Sequence, residues 1–599
     1  MKKQNILKSS KLLSVFASKD TAYSDSEINT QSKSNKPLSV SLFMLKLRTS
    51  FAKKSEVSAT ANFIEYLYYS LLSCSLSVYA IFFAVFGVSS FVLRYSISAS
   101  KLEFLTNSSN WLPILIFIIS LLFMPVKKDL AFMLNQSKLF SLFEFSYDAK
   151  ILSTAKKGLR FYSGYSTSFF IGLLSGIISV LFSPSSVLLV IILAFCFLMI
   201  INRPECGILL SVFFVPFFSI EFLNSIIAVT FVSMMYKYFR MKRHVGFGRD
   251  ETLLCILVLI FIFYGFFNVS GVTEFRTMNS LIISVMVFLC VKNLIKSISL
   301  FNNTVRLIAY ASFILSVLSM IYYIAYLIYG NTFIIGLKES EFPENLVNNL
   351  INNSFVPIFI ASTFLLNFSL SLGISSSKRF KYIILLIIQF ACIMIYNDIK
   401  MIYCVLFSAC IVLSFYKIKT IFALPFIPFA ANLVHRLCSL LPSAPFQMNS
   451  ANYSQYGIFS SLLKRNWLFG IGLGAENLEH AVKPELTVNV EDSLKSLTSF
   501  KQLIVVFGIP IGVFIIAVIA YFLYKNLINA NKLKGNNALC DSAFSGLFGT
   551  SVCLILIGLC TEISSSAAAA FLSIICAMCG CIEKCVKSDH LGDNKLRIY

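Results

Sequence analysis

The chain has 599 residues, of which 57% are hydrophobic and only 13% charged. A soluble domain carries about 25% charged residues, so this composition excludes an ordinary soluble globular protein. The formal charge of +22 would suggest nucleic acid in a soluble chain, but here Lys and Arg sit in short connectors and at the N-terminus, where positive-inside bias and anionic headgroups place them. No nucleic-acid partner is expected.

The first sixty residues are rich in Ser and Lys and too polar for a signal-peptide core. They read as a cytoplasmic tail, within which LFMLKLRTSFAKK (42–54) suits a helix lying on an anionic leaflet. Long apolar runs then predict spans at 66–92, 111–126, 162–183, 185–202, 207–220, 222–236, 252–270, 279–295, 307–329, 354–374, 382–397, 400–416, 419–434, 501–524, 543–561 and 566–583. The segment DLAFMLNQSKLFSLFEF (129–145) is too polar to cross and is expected to lie flat. The predicted fold class is all-α, a polytopic membrane helical bundle of about 14–16 transmembrane helices with one large extracytoplasmic loop carrying short helices.

The predicted organisation is a cytoplasmic tail over 1–65, a multi-span region over 66–434, an extracytoplasmic loop over 435–500, C-terminal spans over 501–583 and a cytoplasmic tail over 584–599. With the N-terminus inside, every strongly basic connector falls on one face: Lys127 to Arg160, Lys237 to Arg243, Lys292 and Lys296, Lys378 to Lys381, Lys417 and Lys419, and Lys525 to Lys534. Both termini are then cytoplasmic. The opposite face holds short hairpins and two longer tracts, 330–353 and 435–500. No inverted internal repeat of the secondary-transporter kind is visible.

Sixteen cysteines look like a disulfide or metal inventory, yet most fall inside apolar runs, where a thiol is a small hydrophobe. The cluster CAMCGCIEKC (576–585) has metal-like spacing but lies at the end of a span with no second set nearby. It reads as packing, with Cys585 open to acylation.

The 435–500 tract carries the densest pattern. His435 and Arg436 sit where a helix leaves the membrane, and SSLLKRNWLFGIGLG (460–474) reads as a short amphipathic helix running into a glycine turn. Gly470, Gly472 and Gly474 let backbone N–H groups approach a ligand closely. The alternative is that these glycines only let the loop fold onto the helix ends. A polar tract with Glu476, His480 and Glu485 follows, then VEDSLKSL (490–497), whose Asp492 or Ser493 is placed to cap a helix. KQLIVVFGIPIGVFI then re-enters the membrane, with Gly508 and Gly512 suited to tight packing.

The ordered set WLFGIGLG, EDSLKSL and FGIPIG resembles the O-antigen polymerase and O-antigen ligase superfamily, whose hallmark reads approximately P-L-F-G-x-G-x-G, then H-N-x-Y-L, then a span opening with G-x-x-G. The resemblance is sharpest over 460–520 and looser over 186–520, through RPECG (203–207) entering paired short spans. The family's S-R at a hairpin end is replaced by YNDIK, with Lys400 in place of arginine and Asp398 extra. Its H-N becomes Glu491-Asp492. These departures favour polymerase over ligase.

The resemblance implies a glycosyltransferase of the bacterial cytoplasmic membrane. Its donor would be an oligosaccharide on a polyprenyl diphosphate, and its acceptor a hydroxyl on a growing glycan. Membrane lipids and a chain-length regulator or flippase would be its partners. The anionic leaving group calls for cations at outward helix ends, and the orientation supplies Arg276, Lys400, Arg436, Lys464 and Arg465. The acceptor hydroxyl calls for a base. Glu491, Asp492 and His480 are the leading candidates, with His435 and Glu476 behind them. No cofactor and no metal is required, since a diphosphate is already an activated leaving group. Each cation has a plainer reading as an interfacial anchor, and Glu491 and Asp492 as helix caps. A ligase and a lipid-linked-sugar flippase are the alternatives, the latter needing charges at mid-bilayer depth.

Overall fold

The computed structural model describes residues 59–98, 108–137, 164–218, 220–240, 248–268, 272–329, 355–373, 376–416, 418–439, 463–472 apart from 465, 498–533, 538–560 and 566–590, with a few isolated positions besides. Described residues are overwhelmingly helical. Ten helices are long and apolar enough to cross a membrane, and five shorter apolar ones accompany them. The chain is a multi-pass α-helical membrane protein. The large 435–500 loop lies mostly outside the described residues, as do most of the 42–54 segment, the 330–353 tract and all but the first part of 129–145.

Chain contacts divide the protein into two units, one formed by residues 46–209 and 232–241, the other by 1–45, 210–231 and 242–599. The first contains α1 (Ala59–Ser73), α2 (Leu76–Ile97), α3 (Leu112–Phe123), α4 (Leu130–Gln136), α5 (Tyr165–Leu181) and α6 (Pro184–Asn202). Two further helices, α7 (Pro204–Phe214) and α8 (Ile220–Phe239), run across the boundary.

The first predicted span, 66–92, is corrected here: it is two helices broken at Cys74–Ser75. The freed backbone groups there are taken up by the segment before α4. Leu76 N–H donates to Lys128 O (2.9 Å), Ser77 N–H to Val126 O (3.1 Å) and Leu130 N–H to Cys74 O (3.0 Å). Without these partners the break would leave buried backbone groups unpaired. Hydropathy alone does not reveal the break, because both halves are apolar.

Close packing in this unit comes from small residues. Gly172 and Gly176 on α5 lie one turn apart and face α2, where a Cβ on Gly172 would meet Phe82 O at 2.7 Å and one on Gly176 would overlap Ser89 Oγ. One turn further, buried Ser179 Oγ donates to Ser90 Oγ (2.7 Å). In lipid, where burial gives no net drive between helices, small-xxx-small contacts of this kind do the joining. At the far side of the sequence Arg240 pairs with Glu65 of α1 (2.7 Å).

The second unit contains α9 (Arg249–Asn268), α10 (Val272–Leu294), α11 (Ile298–Tyr329), α12 (Phe355–Gly373), α13 (Ser376–Tyr396), α14 (Ile399–Tyr416), a 3₁₀ segment (Ile418–Phe426) leading into α15 (Ile427–Cys438), α16 (Ser499–Leu533), α17 (Ala538–Cys560) and α18 (Ser566–His590). α12 is its central rod: fifteen of its nineteen residues are buried, so it meets other helices on every side rather than lipid. α17 packs beside it, Gly546 sitting against Leu366 so closely that an added Cβ would come within 2.9 Å of that backbone.

Several polar groups inside this core are paired across helices. Asn367 Nδ2 of α12 donates to Gln389 Oε1 of α13 (2.9 Å), and Gln389 Nε2 to Thr363 Oγ1 (3.2 Å). Ser369, Tyr416, Ser542 and Ser545 form a second knot joining α12, α14 and α17. The cysteines of 576–585 belong to the same packing. Cys581 and Cys585 are fully buried, with Sγ atoms 3.7 Å from Val291 O and Ile295 O of the α10 end. Acylation of Cys585 is therefore set aside, since its thiol lies under α10 and out of reach.

The α2–α5 seam generates a test. Gly172→Leu forces a side chain against the Phe82 carbonyl and is expected to cost about 1–3 kcal/mol, the usual penalty of overpacking. Thermal denaturation of the purified protein in detergent reads it, and an unchanged melting profile would show that the seam does not hold these helices.

Candidate functional site

α9, α10 and α16 each run between two polar ends of the second unit, and the ends differ in chemistry. At one end lie Asp250 and Glu251, in the first turn of α9, with Lys292 in the last turn of α10. Lys292 Nζ sits 2.8 Å from Asp250 Oδ2 and 2.7 Å from Glu251 Oε1. Lys525 of α16 reaches Asp250 Oδ2 at 2.6 Å, and Tyr521 Oη lies 3.1 Å from Asp250 Oδ1. Glu251 Oε2 also accepts the Gly248 N–H (2.7 Å), capping α9. Two carboxylates and two ammonium groups thus neutralise one another with their hydrogen bonds filled, the condition under which buried charge is tolerated. The group ties three helices at one level.

At the opposite end α16 is broken. Gly508 adopts φ 79°, ψ 167°, a region open to glycine and very few other residues. Pro510 has no N–H, so Val506 O loses its helical donor. The Ile509 N–H points away to Trp467 O (2.8 Å), so Val505 O loses its donor too. The glycine turn supplies the replacements: Ile471 N–H donates to Val505 O (3.0 Å) and Gly472 N–H to Val506 O (3.2 Å). Tyr264 Oη, buried on α9, donates to Val506 O as well and lies 3.1 Å from Phe469 O.

The glycines are needed for contact between two backbones. Gly470 has φ 69° and Gly472 φ 107°, and a Cβ on Gly470 would overlap Val506 O. A Cβ on Gly508 would come within 2.5 Å of Leu468 O. The amide N–H groups of Gly470, Ile471 and Gly472 are all engaged within the protein, Gly470 N–H with Asn466 O (2.9 Å). They hold a broken helix together. Trp467 and Phe469 project from the same turn and are exposed.

The same end carries the α13–α14 hairpin. Asn397 turns the chain with φ 48°, a left-handed conformation that asparagine adopts more readily than most residues. Asp398 Oδ1 accepts the Lys400 N–H (2.8 Å), capping α14. Lys400 is half-buried and Arg436, in the last turn of α15, is exposed. α15 is brought to this level by Cys438, whose Sγ lies 3.1 Å from Met394 Sδ in the last turn of α13. Among the described residues, Asn397 Oδ1 and His435 Nδ1 are buried here with no hydrogen-bond partner.

Of the sequence-predicted site residues, Lys400, Arg436, Lys464, Gly470 and Gly472 are therefore placed at one end of the bundle. Arg276 lies on α10 near the same end, its side chain outside the described residues. Glu491, Asp492, His480, Arg465 and Gly474 lie outside them entirely. Sequence reasoning missed the Asp250–Glu251–Lys292–Lys525 group, treating both lysines as loop charges. The available signal was RDE (249–251), an acidic pair at the start of a span on a face otherwise basic. It also missed Tyr264, one tyrosine among 26, which no local pattern distinguishes.

A glycine turn seated on a broken helix at one end and an ion-paired clamp at the other belong to a multi-pass α-helical membrane protein. The chain matches no protein-family model and no curated protein.

Two tests follow from these ends. Gly508→Ala or Gly470→Ala is expected to lose about 1–3 kcal/mol from backbone strain alone, and Tyr264→Phe less, since Val506 O keeps Gly472 N–H. Equal melting temperatures for Gly508→Ala and wild type would contradict the backbone docking. At the clamp, Lys292→Met leaves buried Glu251 without a cation, Asp250 keeping Lys525, and should cost about 3–5 kcal/mol. Lys525→Met should cost much less, because its partner Asp250 retains Lys292. Chemical denaturation in detergent ranks the two, and the reverse order would refute this account of the clamp.

Proposed function

We propose that this protein is a membrane glycosyltransferase that polymerises polyprenyl-diphosphate-linked oligosaccharide repeat units into a surface polysaccharide. One observation carries the reading: the two best-matching pieces of the sequence resemblance, WLFGIGLG and FGIPIG, are hydrogen-bonded to each other as a single unit. Thirty-two residues separate them in the sequence, so their joint occurrence has a physical reason. The catalytic carboxylates of the proposal lie in that intervening loop.

In this reading the glycine-turn end faces outward, the ion-paired end faces the cytoplasm, and both termini are cytoplasmic in a bacterial plasma or inner membrane. The chain crosses 14–16 times. Lys400, Arg436, Lys464, Arg465 and Arg276 receive the diphosphate, where cations offset the charge that develops on the leaving oxygen. An acceptor hydroxyl attacks the anomeric carbon. The bond from that carbon to the diphosphate oxygen breaks, and polyprenyl diphosphate departs with both electrons. Glu491, Asp492 or His480 takes the hydroxyl proton.

Membrane vesicles containing the protein, supplied with polyprenyl-diphosphate oligosaccharide, should yield longer glycans together with free polyprenyl diphosphate. Alanine at Arg276, Lys400, Arg436, Glu491 or Asp492 should lower that yield at unchanged protein abundance. For the true base the fall should be about 10²–10⁴-fold, the usual worth of a positioned acid–base group. Translocation of the donor without lengthening would assign a flippase instead. Transfer to a lipid acceptor without polymer would assign a ligase.

A further inference from the structure

α14 and α17 lie antiparallel, and their register is readable from three pairs. Ser545 Oγ lies 3.4 Å from Tyr416 Oη, the rings of Phe415 and Phe548 sit with centroids 5.6 Å apart, and Gly549 abuts Val412 so tightly that any Cβ would overlap it. Going up α14 one turn at a time from these pairs, position 404 falls level with about 557 on α17. Helical side chains lean toward their own N-terminus. In an antiparallel pair this carries the side chain at 404 upward and the one at 560 downward, so the two meet. The thiols of Cys404 and Cys560 are neighbours at this level.

The two thiols differ in access. Cys404 is 4% exposed, whereas Cys560, the last residue of α17, is exposed. The charged groups facing Cys560 are Lys400 and Asp398 from the start of α14. Among the described cysteines none is in a disulfide.

We propose that Cys404 and Cys560 form a thiol–disulfide exchange site, which a disulfide-bearing oxidant converts into a covalent staple between α14 and α17 beside Lys400. Exchange starts at the accessible sulfur. Cys560 thiolate attacks one sulfur of the oxidant and expels the first thiolate, leaving a mixed disulfide on Cys560. Cys404 thiolate then attacks the Cys560 sulfur and expels the second. Two protein thiols and one disulfide become one protein disulfide and two small thiols, the two protons passing to the departing thiolates. The staple would fix the first turn of α14, and with it Lys400, against the end of α17. This site stands independently of the glycosyl-transfer reading, because it requires only the α14–α17 packing.

The full-length protein in membranes, treated with oxidised glutathione, then denatured and counted for free thiols with a maleimide polymer, tests this. Wild type should lose two countable thiols, and digestion should release a peptide joining Cys404 to Cys560. Dithiothreitol should restore both. Cys404→Ser should lose one thiol, with glutathione held on Cys560. Cys560→Ser should lose none at this pair. A wild-type count that does not fall, or one that falls by one with glutathione retained on Cys560, overturns the proposal. So does a bridge from Cys404 to buried Cys553 in place of Cys560.

Discussion

The break in α16 governs the second unit. A helix interrupted within a membrane protein leaves carbonyls that must find donors inside the protein, because lipid offers none. At Val505 and Val506 two carbonyls are released, one through Pro510's missing N–H and one through the turning away of Ile509. Everything around them answers that need. The glycine turn comes close because Gly470 and Gly472 carry no side chain to stand in the way, so the Ile471 and Gly472 N–H groups reach the two carbonyls, and Tyr264 from α9 completes the set. The glycine turn is thereby fixed to α9 and α16.

The ion-paired clamp performs the complementary task at the other end. α16 needs its lower half, from Gly512 onward, held independently of its docked upper piece, since a break divides a helix into two levers. Lys525 and Tyr521 reach Asp250, and Lys292 closes the group from α10. α9 is the common element, contributing Asp250 and Glu251 at one end and Tyr264 at the other. Its twenty residues span about 30 Å at 1.5 Å per residue, the thickness of a bilayer core. One helix therefore registers the two halves of α16.

The sequence already carried most of the helix inventory. Thirteen of the sixteen predicted spans, all but 66–92, 419–434 and the broken 501–524, coincide with a single helix, because an apolar run of bilayer length has few other stable forms. The break at Ser75 and the split of 419–434 into a 3₁₀ segment and α15 were not legible, since an apolar composition says nothing of where a helix bends. The glycine turn was legible as a place of close approach, and so was its pairing with FGIPIG as an ordered motif. What it approaches was not, because Val505 and Val506 are ordinary valines in a long apolar run.

The sequence by itself determined that this chain is a multi-spanning helical protein and which of its connectors are basic, because hydrophobic length and charge act locally and need no partner. Only the tertiary structure decided which carbonyls are orphaned, which lysines are buried and which cysteines meet. Asp250 and Lys525 lie 275 residues apart, as do no neighbours a sequence window can see. Hydrogen bonds and ion pairs are directional and short, so they are settled by how helices pack and not by what each helix contains.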